Sequence, residues 1–132
     1  MSWDPSDKNR MASTAGDKNV RVWDVRDHKA KSSVPLSEEC FDVAYSSDGN
    51  FVSVSNKQRI NLIDCRKWRV VSQSVLPVEI NETKFCGAEY LIVAAGHPSG
   101  HGTFEVLKLK YEDGISISLS HIEEVYFQVT VR

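Results

Sequence analysis

Few residues in this chain stand where they could make or break a bond. His97 and His101 are four apart, with Cys86 and His121 further off, and these are residue types that hold zinc. A zinc site needs further ligands at regular spacing on rigid positions. Here the two histidines enclose Pro98-Ser99-Gly100, a loop sequence, so solvated side chains are expected, with no metal and no cofactor. Serine, histidine and aspartate occur without a Gly-x-Ser-x-Gly elbow. Gly16-Asp17-Lys18 lacks the Gly-x4-Gly-Lys-Ser/Thr pattern that cradles phosphate. The acidic pairs Glu38-Glu39, Glu112-Asp113 and Glu123-Glu124 have nothing that sets them opposite one another for acid–base work. Arg66-Lys67-Trp68-Arg69 interleaves charge with an aromatic ring, as a surface that stacks RNA bases does. It also falls in an expected turn, where exposed charge is ordinary. The chemistry expected is therefore binding: no enzyme, and no small-molecule substrate.

Composition narrows the partners. The chain has 132 residues, the size of one domain or part of a larger one. At 41% hydrophobic and 26% charged it is not a disordered chain. Sixteen Lys and Arg against eighteen Asp and Glu give a net charge of −2, which excludes a bulk basic field for nucleic acid. RNA contact is expected to be indirect. No apolar run approaches the roughly 18 residues of a membrane helix, and Met1-Ser2-Trp3-Asp4-Pro5 opens no secretory signal, so no membrane is expected. Cys40, Cys65 and Cys86 are odd in number and form no Cys-x-x-Cys pair. That fits a reduced compartment and buried, apolar thiols.

The elements that would position binding residues are short strands. Val20-Arg21-Val22-Trp23-Asp24 reappears 40 residues on as Ile60-Asn61-Leu62-Ile63-Asp64, and about 44 further as Phe104-Glu105-Val106-Leu107-Lys108. Phe41-Asp42-Val43-Ala44-Tyr45 and the Ile80–Phe85 run repeat in the same register, with Tyr45 and Phe85 again 40 apart. Val, Ile, Phe, Tyr and Thr fill the periodic runs, and Asp-Pro, Gly-Asp, Asp-Gly and Leu-Pro breakers separate them. The pattern predicts strands near 10–15, 19–25, 29–34, 41–46, 50–55, 59–64, 69–75, 79–85, 90–95, 103–109 and 115–120, about four per 40 residues. No run of twelve residues carries a helical period.

Four strands per unit of that length resemble the blade of a WD-repeat β-propeller. Gly16-Asp17-Lys18-Asn19-Val20-Arg21-Val22-Trp23-Asp24 is similar to the family's Asp-x5-Trp-Asp core. The resemblance implies a hydrogen-bonded tetrad built on Ser13, Asp17 and Trp23, with a histidine that would precede Met1. A buried aspartate costs several kcal/mol unless hydrogen-bonded, so such a tetrad would lock the turn. In the second unit Lys57 and Ile63 replace Asp17 and Trp23. The expected fold is all-β: about three consecutive blades of an incomplete propeller, at about 1–36, 37–77 and 78–122. Residues 123–132 form a tail or a last strand. A ring closes with about four to eight blades, so the chain is expected to be a fragment, a short isoform or a partial gene product.

The order of Ser2-Trp3-Asp4-Pro5-Ser6, Gly16 to Arg26, Tyr45 to Asn50, Asn56-Lys57, Ile63-Asp64 and Val78-Glu79-Ile80-Asn81-Glu82 is similar to the WD-repeat subunits of the THO transcription-export complex. That resemblance implies a nuclear, non-enzymatic scaffold in messenger RNA processing and export, bound to other THO and transcription-export subunits. Arg26, Arg66, Trp68 and Arg69 are the candidate partner contacts. Trp23-Asp24-Val25-Arg26 also resembles the box by which some WD proteins dock on cullin-type ubiquitin ligases, with Arg26 as docking residue; a WD module of another pathway is the third reading.

Overall fold

β-Branched and aromatic runs broken by turn residues fold here as antiparallel hairpins placed one after another. The structure, a computed structural model, describes the backbone of residues 1–96, 102–112 and 116–127 and the side chains of 1–96 and 102–109. The first sheet is β1 (Ser2–Trp3), β2 (Arg10–Thr14), β3 (Asn19–Asp24) and β4 (Lys29–Pro35). The second is β5 (Asp42–Tyr45), β6 (Phe51–Ser55), β7 (Arg59–Asp64) and β8 (Arg69–Val75). The third is β9 (Glu79–Cys86), β10 (Tyr90–Gly96), β11 (Gly102–Glu112) and β12 (Ser116–Phe127). Within each sheet every strand pairs with its sequence neighbour, in simple up-and-down order. Among the described residues there is no helix, and so none long and apolar enough to cross a membrane. The last strand runs to Phe127 where the pattern predicts 120, so Glu123–Phe127 is its end; 128–132 lie outside the described residues, as do His97–His101.

The repeat extends to single hydrogen bonds. Val25 N–H donates to Asn9 O at 2.9 Å, Cys65 N–H to Asn50 O at 2.8 Å and Leu109 N–H to Glu89 O at 2.8 Å. Each bond closes the same corner between a third strand and the turn before a second. A bulge recurs in each fourth strand: Lys31, Val71 and Ile122 each lack a partner in the register, as the pairings Val22↔Ser32 and Trp23↔Ala30 show in the first sheet. One extra residue there sharpens the strand's twist.

Burial separates the middle sheet from its neighbours. All of Phe51–Ser55 and Ile60–Asp64 are buried, on both faces, because sheets cover both. β10 alternates buried and half-buried along its whole length. Between the first two sheets lie Ala12, Val20, Val34, Val43, Val52, Val54 and Ile63. Between the second and third lie Ile60, Leu62, Leu91, Val93, Leu107 and Phe51. One polar pairing crosses this second seam: Thr83 donates its N–H and its Oγ1–H to Asp42 Oδ2 at 2.7 and 2.8 Å. The turns also touch. Gly49, at φ +74°, lies so close to the turn after β1 that a Cβ there would sit 2.3 Å from Ser6 Oγ and 2.7 Å from Asp4 Oδ1. Only glycine supplies both that backbone conformation and that clearance.

The packing predicts a steep contrast. Leu62→Ala is expected to cost about 2–5 kcal/mol, as large-to-small changes in a closed core do. Val75→Ala, at a side chain 65% exposed, is expected to stay within about 0.5 kcal/mol. Urea denaturation followed by circular dichroism measures both; equal losses would contradict the sandwiched middle sheet.

Candidate functional site

The charged residues singled out in the sequence gather in the turns that follow the third strands. Asp24 accepts Arg26 N–H and Arg26 Nε–H at Oδ1, both at 3.0 Å, and Arg26 Nη2–H at Oδ2, at 2.6 Å. Forty residues on, Asp64 does the same with Arg66, at 2.8, 3.1 and 3.1 Å. A carboxylate that ends a strand meets a guanidinium two residues later because the turn folds the chain back on itself. His28 (φ 54°) and Trp68 (φ 50°) hold the matching left-handed position in each turn. That conformation costs a non-glycine residue of order 1–3 kcal/mol, so the surrounding contacts must hold it. For Trp68 they are visible: its ring packs half-buried against the core between the first and second sheets.

Electrostatics follow the forks. The Arg26 side chain holds the Asp24 carboxyl well below the usual carboxylate range, and Arg26 itself is raised. Burial opposes the charge on Asp64, but the Arg66 side chain and amide overcome it and hold that carboxyl low. Asp64 is nearly inaccessible, while the Arg66 side chain is 57% exposed and the Arg26 side chain 65%. Arg66 also lies 5.5 Å over the Phe51 ring. Both arginines are thus held by a carboxylate while much of each side chain stays exposed. Arg69 is exposed at the first position of β8.

The three residues implied for a tetrad do not come together. Trp23 Nε1–H donates to Ser13 Oγ at 2.7 Å, across neighbouring strands. Asp17 takes no part. Its side chain is exposed and bonds to Arg21, which lowers its pKa, and it accepts Asn19 N–H at 3.3 Å. The physical reason is the face. Trp23 and Ser13 lie on the side of the first sheet away from the second, where no described residue closes over Asp17 to exclude water.

The pattern starts a strand near 41, but β5 begins at Asp42, and Phe41 is 66% exposed. It borders a groove of about 600 Å³ with Val75, Pro77, Asn56 and Arg59. Glu38 accepts Asn56 Nδ2–H at 2.6 Å and pairs with Arg59 at 3.6 Å, and Lys57 pairs with Glu79 at 3.3 Å. The only signal in the sequence is the Pro35–Glu39 run, which ends a strand and pushes the next start back. No group of three metal-ligating side chains occurs among the described residues.

Four antiparallel strands per unit are also found in known proteins. THO complex subunit 3 of Arabidopsis thaliana is 32% identical over 109 residues, 81% of this chain and 33% of that protein. WD repeat-containing protein AAC3 of Dictyostelium discoideum is 35% identical over 65 residues, 48% of this chain and 14% of that protein. The solved WD40 repeats of RRP9 superpose with a TM-score of 0.71 at 16% identity, covering 93% of this chain and 37% of that one. The chain belongs to the WD-repeat β-propellers. Its three sheets are consecutive blades, and they span about a third of the length of THO subunit 3. No protein-family model matches the chain.

The forks give a pH prediction for the blades. The folded pKa of Asp64 lies below the ordinary carboxylate value of about 3.9. Its contribution is therefore complete above about pH 4 and is lost as pH falls through the folded value. Asp64→Asn keeps an acceptor for the Arg66 amide but removes the charge. It is expected to lower the melting temperature at pH 7 and to flatten the decline in stability between about pH 4 and 2. Parallel acid titrations by thermal melting decide it; identical slopes would remove the fork's role. Trp23→Phe, which deletes only the indole donor, is expected to cost about 1 kcal/mol in denaturant titration.

Proposed function

We propose that the chain is a non-enzymatic protein–protein interaction scaffold, related to the WD-repeat subunit of the THO complex and acting in nuclear messenger RNA processing and export. The observation that carries this reading is the continuous 32% identity to THO complex subunit 3 over 109 residues. The mechanism is presentation. The stacked blades, taken as about 1–36, 37–77 and 78–122, hold turns and strand edges at fixed spacing, and partners read those edges. The Trp23–Ser13 bond stiffens the first blade, and Asp17 braces its turn through Arg21. Arg26 and Arg66 offer charge held by a carboxylate, with exposed Arg69 and half-buried Trp68 beside Arg66. The partners are other subunits of the transcription-export machinery; RNA is reached through them, and no cofactor is needed.

A second reading rests on the repeated Asp-x-Arg fork. Two guanidiniums held by carboxylates and 40 residues apart form the kind of surface by which a ubiquitin-ligase adaptor docks, through Arg26. Affinity purification of the tagged chain from nuclear extract, read by mass spectrometry, separates the two. Recovery of other THO subunits, unchanged by Arg26→Ala, is the expected result. Recovery of a cullin-type ligase that Arg26→Ala abolishes would establish the adaptor instead. Chaperones alone would overturn both.

A further inference from the structure

We propose that the groove between the second and third sheets, at the turn after β6, binds an extended segment of a protein partner that carries an arginine beside an aliphatic residue. The groove is built before a partner arrives. Its walls are the loop after β4, the turn after β6 and the link from β8 into β9, all of them internal to the chain. Backbone hydrogen bonds tie these walls to β6 and its turn. Phe41 N–H donates to Ser55 O at 2.9 Å, Leu76 N–H to Gln58 O at 2.9 Å and Ile80 N–H to Lys57 O at 2.7 Å. Inside the turn, Asn56 Oδ1 accepts the N–H groups of Gln58 and Arg59 at 2.9 and 2.7 Å. A site held in this way loses little conformational freedom on binding.

The lining names the occupant. Five large apolar side chains are exposed among the described residues, and two of them, Phe41 and Val75, meet in this one groove although they lie far apart in the chain. Pro77 is exposed beside them. Exposed apolar side chains gathered in one place mark a binding surface. The charges are unbalanced. Glu38 pairs with Arg59 and Glu79 with Lys57, whereas Glu39 and Asp42 have no cationic partner among the described residues. The lining therefore carries two more carboxylates than cations, which repels anions and attracts a cation. A recess of about 290 Å³ adjoins the groove, with Asp42 and Ser55 in its wall. Ser55 is 1% exposed, and its Oγ has no hydrogen-bond partner among the described residues. A buried hydroxyl left unanswered is costly, so a ligand N–H is favoured there. Asp42 and Ser55 are register partners on β5 and β6, so one group can meet both. A guanidinium fits this combination better than an ammonium. Its fork of N–H groups suits a carboxylate and a hydroxyl side by side, and its flat face suits the Phe41 ring. An aliphatic neighbour would then cover Val75 and Pro77. None of this depends on which complex the chain joins.

The test selects peptides on the 132-residue chain. A phage library of random peptides is depleted on the Phe41→Ala variant, which alters an exposed side chain, and then panned on the unaltered chain. The survivors are expected to share an arginine next to an aliphatic residue. No enrichment after depletion, or an acidic or uncharged consensus, overturns the proposal. The most enriched peptide, made with blocked ends, is then measured by fluorescence anisotropy. Replacing its arginine by citrulline, which keeps the shape and removes the charge, is expected to weaken binding about tenfold or more, and so is Asp42→Asn. Val75→Ala is expected to weaken it severalfold. Equal affinity for the citrulline peptide would refute the charge argument, and equal affinity for a lysine peptide would refute the guanidinium. Should Asp42→Asn lose its circular-dichroism spectrum, Glu39→Gln, at an exposed position, takes its place; binding unchanged by it and by Val75→Ala would put the peptide outside this groove.

Discussion

A four-stranded sheet has two faces and cannot bury either one by itself. Everything else in this molecule follows from that constraint. The second sheet resolves it by lying between two others, and its central strands are closed to solvent on both sides. The residues that achieve this are not specialised. Val52, Val54 and Ile63 point one way, Phe51, Ile60 and Leu62 the other, and the period of two does the sorting. Sheet stacking is therefore the dominant stabilising interaction, with strand pairing supplying the backbone hydrogen bonds that burial demands.

Some polar groups pair across the seams. Asp42 takes two hydrogen bonds from Thr83, and Ser53 lies 3.4 Å from the same hydroxyl. At the rims the chain uses charge differently. Asp24 and Asp64 each fold a turn around an arginine whose side chain stays largely exposed. The interior is thus fixed by shape and the edge by short-range electrostatics. This division suits a protein whose partners meet its edges, because a change at a fork leaves the core packing untouched.

The unit length, the all-strand character and the position of nearly every hairpin were legible in the sequence. They depend on local quantities: alternation along a strand, turn residues between strands, and a spacing of about 40 that repeats Val20–Asp24 as Ile60–Asp64. The Asp-x-Arg pair was visible too, since it closes within three residues. What these features share is that both partners of each interaction lie close in the chain.

The fate of Asp17 and Phe41 depended on something else. Asp17 stands in a turn sequence that resembles the one holding a buried tetrad, but no described residue covers it, and it pairs with Arg21 instead. Phe41 opens an alternation whose strand begins one residue later, and it lies at the lip of a groove. Trp68 stands amid three basic residues, and its ring is half-buried against the neighbouring core. Sequence alone determined the strands, their period and the side chains on each face, because those are set by neighbours along the chain. Only the tertiary structure decided which faces were covered, since burial belongs to pairs of sheets whose contacting residues lie some 40 positions apart.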